Sequence, residues 1–204
     1  MKSENGRSMV EMLGVLAIIG VLSVGAIAGY SKAMMKYKLN KQAEQISWLL
    51  NVMYRHKATF GKSPNFIELL PTFKKLGEIP QEMIKDNSNA IYDSFGIRYR
   101  IYTNGCNPTC SYANLNIKMS NDYKNFDICN NIIETSKAFT EILDNIIIWE
   151  SESHSGIGHI LGNTRCSNGV KCLKDLSKSD IYNICQLCTD KKGCSFNIQY
   201  LIKD

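Results

Sequence analysis

Residues 6–31 read GRSMVEMLGVLAIIGVLSVGAIAGYS. Residues 12–31 carry no charge. As a helix rising about 1.5 Å per residue they reach roughly 30 Å, the thickness of one bilayer core. The segment is able to span a membrane. Glu11, the single acidic residue, stands at the mouth of this run, five positions after Gly6. A carboxylate costs about 2.5–3.5 kcal/mol at bilayer mid-depth and less toward the rim, so this one calls for headgroup solvation or a cationic partner.

The helical period continues past the apolar run. Met35, Leu39, Ala43, Ile46, Leu49, Leu50 and Met53 form one stripe, with Lys36, Lys41 and Glu44 opposite. No glycine or proline falls within residues 30–60, and the first proline is Pro64. The pattern predicts one unbroken, gently curved helix of about fifty residues, its first half apolar all round and its second half amphipathic. The chain beyond it is long enough for one domain with its own core.

In that domain, Ser63 and Pro64 predict a helix start running to Leu70, followed by a loop at Pro71 and Gly77. A helical turn is expected over 80–84 and a polar turn over 86–89. Residues 97–103 and 112–119 alternate in a β pattern and predict an antiparallel hairpin. Residues 122–143 predict a helix, 145–150 (NIIIWE) a central strand and 154–163, with three glycines, a loop. A short helix near 179–187 and a last strand over 196–202 complete the reading.

Eight cysteines, Cys106, Cys110, Cys129, Cys166, Cys172, Cys185, Cys188 and Cys194, all lie beyond the apolar helix. An even count confined to one side suggests disulfides formed in an oxidising compartment. Cys185 and Cys188 form a C-x-x-C clasp that also suits zinc or a redox pair, but no second clasp and no βαβ pattern accompany it. Structural disulfides are the preferred reading, with local bridges Cys106 to Cys110 and Cys166 to Cys172. Lys32, Lys36, Lys38 and Lys41 follow the apolar run while Lys2 and Arg7 precede it, a bias that opposes export. The cysteines outweigh it. Ala26, Ile27 and Ala28 form an A-x-A site, which offers ordinary secretion with Gly29 as the first mature residue.

Net charge is +5 and the pI about 8.7, with lysines and arginines scattered, so nucleic-acid binding is not indicated. His56, His154 and His159 sit in no metal or catalytic pattern, and Gly156, Gly158 and Gly162 lack the lysine and serine of a phosphate loop. Trp48 and Trp149 are expected to pack. No enzyme, cofactor or metal is expected.

The polar leader MKSEN, then Gly6, then Glu11 at the fifth position beyond it, resembles the class III signal of type IV pilins and pseudopilins. The resemblance implies prepilin peptidase cleavage between Gly6 and Arg7 and methylation of the Arg7 amine. It also implies that Glu11 meets the terminal amine of a neighbouring subunit, while Gly14, Gly20, Gly25 and Gly29 allow close helix approach. Two residues depart from the family: Arg7 stands where Phe or Met is usual, and Ala28 where many pilins have a kinking proline. Gly77, Ile79 and Pro80, with Phe95 and Gly96, are similar to the type IVb branch, although Ile97 replaces that branch's second glycine.

The implied fold is α+β: a long amino-terminal helix packed on an antiparallel sheet, closed by a disulfide-rich carboxy-terminal region. The implied organisation is a leader (1–6), a filament-core half-helix (7–31) and a head (32–204) that includes 32–60 and the cysteine-rich 166–194. The expected function is that of a structural subunit of a pilus or type II secretion filament, a homopolymer or mixed polymer. Such a subunit waits in the inner membrane with its assembly machinery and ends outside it. A membrane-anchored or secreted disulfide-rich binding module is the alternative.

Overall fold

The computed structural model describes residues 9–60, 65–86, 88–107, 110–119, 125–150, 156–166, 171–188 and 193–202. Helix α1 (Met9–His56) is continuous, as its freedom from proline requires, and ends in a 3-10 turn at Lys57–Thr59. The chain forms two compact units that meet in sequence at Lys38 and Leu39. In the first, α1 stands alone and is long and apolar enough to cross a membrane.

The second unit is built on one antiparallel seven-stranded sheet. Its strands are β1 (Ile67–Glu68), β2 (Ile91–Tyr92), β3 (Arg98–Asn107), β4 (Cys110–Lys118), β5 (Asn145–Glu150), β6 (Gly156–Leu161) and β7 (Cys194–Ile202). The order is β1-β3-β4-β7-β5-β6, with β2 also on β3. The expected hairpin is β3 and β4, in register from Arg98 opposite Lys118 to Gly105 opposite Ser111. NIIIWE is an interior strand as expected, between β7 and β6. The last described strand, β7, lies inside the sheet, paired with β4 and β5.

One sheet face is apolar: Tyr99, Ile101, Leu115, Ile117, Ile146, Ile148, Phe196, Ile198 and Tyr200 are all buried. The second half of α1 lies on this face, where the Tyr200 hydroxyl donates to Leu50 O at 2.9 Å. Ile46, Leu49, Leu50, Val52 and Met53 bury its stripe. Helix α3 (Asn125–Lys137) lies beside α1, with Asn131 Nδ2 donating to Leu39 O and Gln42 Oε1, both at 2.9 Å. Helix α4 (Lys178–Gln186) starts with a capping box, Ser177 Oγ accepting from Asp180 N while the Asp180 carboxylate accepts from Ser177 N. Such a cap contributes about 1 kcal/mol.

Three expectations are corrected. The helix predicted over 63–70 is absent from its described part: Ile67 and Glu68 pair with Thr103 and Tyr102 as β1, and helix α2 (Leu70–Lys75) begins only afterwards. Pro71 sits in the first turn of α2, where a missing N–H costs nothing, so it opens a helix rather than breaking a loop. Residues 154–163 are not a loop over their described length, since Gly156–Leu161 is edge strand β6. Gly158 pairs with Ile148 on the apolar face, and a Cβ there would touch Ile148 and Ile184. This glycine lies within a paired strand, where a reading that takes glycine as punctuation places a break.

Gly162 follows β6 and lies against the preceding turn. A Cβ built on it falls 1.8 Å from Leu143 O, while its N–H donates to Asp144 O at 2.8 Å. Gly162→Ala is therefore expected to destabilise the head by about 1–3 kcal/mol, visible as a lower denaturation midpoint with an unchanged denaturant slope.

Candidate functional site: the amino-terminal helix and its anchorage

The apolar half of α1 places Glu11 in its first turn, where a carboxylate complements the positive end of the helix dipole. Side chains from Met9 to Ala33 are exposed, Val10, Leu13, Leu16, Val21, Leu22 and Ile27 among them. Ser23, in the middle of this run, returns its hydroxyl to Ile19 O at 2.7 Å and so presents no bare donor to an apolar medium. A Cβ at Gly14, Gly20, Gly25 or Gly29 would meet nothing within 4 Å, so packing within the chain does not demand glycine there. At 3.6 residues per turn, Gly14, Gly25 and Gly29 share one face and Gly20 lies away from it. Gly6 and Arg7 lie outside the described residues.

The other half of α1 is fastened to the sheet through a buried polar network. Gln42 Nε2 donates to Asp93 Oδ2 at 2.6 Å and the Tyr99 hydroxyl donates to the same oxygen at 2.9 Å. The amides of Phe95 and Ile97 donate to Asp93 Oδ1 at 2.8 and 2.9 Å, and Gln45 Oε1 accepts from Ser94 N at 3.1 Å. One carboxylate thus ties the helix, the 93–97 turn and β3 together. Burial raises the Asp93 carboxyl above its ordinary value against these hydrogen bonds, which lower it. Burial also raises Tyr99 strongly, with the Asp93 charge next in effect.

The residues that resemble the type IVb pattern serve this attachment. Gly96, at φ 80°, turns the chain so that both amides face Asp93, and Gly77, at φ 70°, turns it after α2. Glu78 then accepts from Arg55 Nη2 at 2.6 Å and pairs with His56 Nε2 at 3.1 Å, while its carbonyl accepts from Trp48 Nε1 at 2.7 Å. Trp48, expected to pack, is about half exposed and held by that bond and by Arg55 over its ring. Sequence reading missed Gln42 and Gln45. The available signal was two glutamines at helical spacing on an otherwise apolar face, positions where a side chain of that polarity needs a buried partner.

The cysteines join helix to helix and loop to strand. Cys129 of α3 bridges to Cys185 of α4, Cys166 to Cys172, and Cys188 to Cys194 at the start of β7, with Cα separations of 5.6, 5.5 and 5.4 Å. The expected Cys166 to Cys172 bridge is present. The C-x-x-C clasp is split between two bridges, which removes both its zinc and its redox-pair readings. Cys166, Cys172 and Asp175 are close enough to share an ion, but the two sulfurs are bonded to each other. The side chains of Cys106 and Cys110, and His154, lie outside the described residues. His159 is exposed on β6 and Trp149 is half-buried on β5.

Comparison with known proteins gives no match: no family model fits the chain, and no curated protein or solved structure is significantly similar to it. The long amino-terminal helix and antiparallel sheet are compatible with a pilin-like fold.

Two outcomes are expected from variants of the anchorage. Asp93→Ala, which strands four donors, costs about 3–5 kcal/mol in chemical denaturation. Because the folded-state value of Asp93 is raised, its contribution to stability is full below the unfolded value and is lost as pH rises through the folded one. Asp93→Asn removes that titration, so as pH rises through the folded value the variant loses less stability than wild type. Removing the inter-helix bridge with Cys129→Ala and Cys185→Ala costs about 2–5 kcal/mol by the same measurement.

Proposed function

We propose that the protein is a structural subunit of a type IV pilus-like or type II secretion-like filament, built into it through α1. The observation that carries this reading is the composition of one uninterrupted helix. Its second half is buried under a folded, disulfide-bonded head, and its first half leaves some twenty-five side chains, mostly apolar, without cover from the rest of the described chain. An apolar surface of that length is covered by lipid or by other helices of its kind. The resemblance of the leader, Gly6 and Glu11 to a class III signal supports the second cover after the first.

In this reading prepilin peptidase cleaves after Gly6, the new terminus at Arg7 is methylated, and the subunit waits in the inner membrane. On assembly Glu11 pairs with the amino terminus of an adjoining subunit, and neutralisation of both charges makes their removal from water tolerable. Glu11 then sets the axial register while Gly14, Gly25 and Gly29 let a neighbouring backbone approach. The role is structural rather than catalytic, and the disulfides suit a head that ends in the periplasm or outside the cell.

Glu11→Ala is expected to leave membrane levels of the protein unchanged while filament yield falls sharply in sheared-surface fractions. Normal yield from that variant would sink the assembly role of Glu11. Amino-terminal sequencing of the mature protein tests the processing directly: Arg7 is expected first, whereas Gly29 first means ordinary secretion and Met1 a plain membrane anchor.

A further inference from the structure

The sheet face turned away from the helices carries an unexplained row of cations. Strand register sets Tyr92, Arg98, Lys118, Ser195 and Trp149 side by side across β2, β3, β4, β7 and β5. Arg98 and Lys118 stand directly opposite each other, both exposed, and neither has an ion-pair partner among the described residues. Like charges directly opposed on neighbouring strands destabilise a sheet, so the fold does not account for the pair. Lys85 Nζ, 4.9 Å over the Tyr92 ring, adds a third cation at the end of the row.

The adjacent row strengthens the sign. It runs Arg100, Asn116, Asn197, Ile147 and His159. Among the described residues, the carboxylates that reach this face, Glu68 and Asp144, are 12% and 1% exposed and are held by Arg100 and Arg165, whose side chains are 34% and 50% exposed. Acid groups are sunk beneath and cationic ends point outward. The face therefore shows positive charge to solvent although the chain as a whole is only modestly basic.

We infer that this row binds an acidic polysaccharide. Adjacent strands are about 4.8 Å apart, so the row sets two neighbouring cations at that spacing for carboxylate or sulfate groups. Half-buried rings, Tyr92 and Trp149, stand near its two ends to pack against sugar faces. The half-exposed carboxamide of Asn116, steadied by Phe196 O at 3.3 Å, lies beside the row for hydroxyl groups. A nucleic acid is a poorer fit, because it presents phosphates continuously and is met by longer basic grooves than two unpaired cations provide. The site is independent of how the amino-terminal helix is used.

The experiment uses the full-length protein in detergent micelles, passed over immobilised polygalacturonate at about 0.15 M salt. Wild type is expected to be retained. Arg98→Ser with Lys118→Ser lowers affinity about tenfold, and Lys118→Gln alone about threefold, while the double variant melts no lower than wild type because a like-charge pair has been relieved. Lys174→Ser with Lys178→Ser removes the same charge from exposed positions elsewhere and leaves affinity unchanged. The inference is overturned by equal losses in both double variants, by absence of retention of wild type at that salt, or by tighter binding of a single-stranded oligonucleotide than of polygalacturonate.

Discussion

The head depends on a carboxylate taken out of water. Asp93 is buried against the helix–sheet seam, a position expensive for a charge unless donors surround it. Four groups do so, and they come from three parts of the chain: Gln42 from α1, the amides of Phe95 and Ile97 from the turn, and the Tyr99 hydroxyl from β3. Apolar burial alone would hold the helix to the sheet over a range of small slides and rotations. Directional bonds to one fixed anion permit a single register. The amphipathic half of α1 is thereby tied to the sheet in one setting.

A second set of constraints acts at the other side of the helical layer. The Cys129 to Cys185 bridge joins α3 to α4, and the Cys188 to Cys194 bridge joins the end of α4 to the central strand β7. Together they link two short helices to the strand that closes the sheet. Short helices are marginal alone, since nucleation is costly and few hydrogen bonds follow it. Cross-links that limit the unfolded chain offset that weakness without adding core volume.

Much of this was legible before any coordinates. The unbroken α1, the β3–β4 hairpin, the interior strand at 145–150, the helix at 178–186 and the closing strand followed from periodicity, because each repeats its pattern over enough residues to identify itself. The failures fall where glycine and proline act through their surroundings. Pro71 opens α2, and Gly158 lies inside a strand, paired with Ile148. Both residues are read locally as breaks, and both lie inside regular elements. β1 is a similar case: two residues have no pattern of their own, and only their pairing with Tyr102 and Thr103 makes them a strand.

The amino-acid sequence by itself determined that a helix long and apolar enough for a membrane leads into an amphipathic continuation, and that a cysteine-rich domain of mixed helix and strand follows. Those properties are carried by neighbouring residues and by spacing along the chain. Tertiary structure alone decided that Cys129 joins Cys185, that Gln42 meets the buried Asp93 carboxylate and Gln45 the Ser94 amide, and that Arg98 and Lys118 stand opposed on an open sheet face. Each of these is a meeting of residues far apart in sequence. Linear pattern shows which side chains need a partner, but only the folded chain brings that partner within hydrogen-bond or bonding distance.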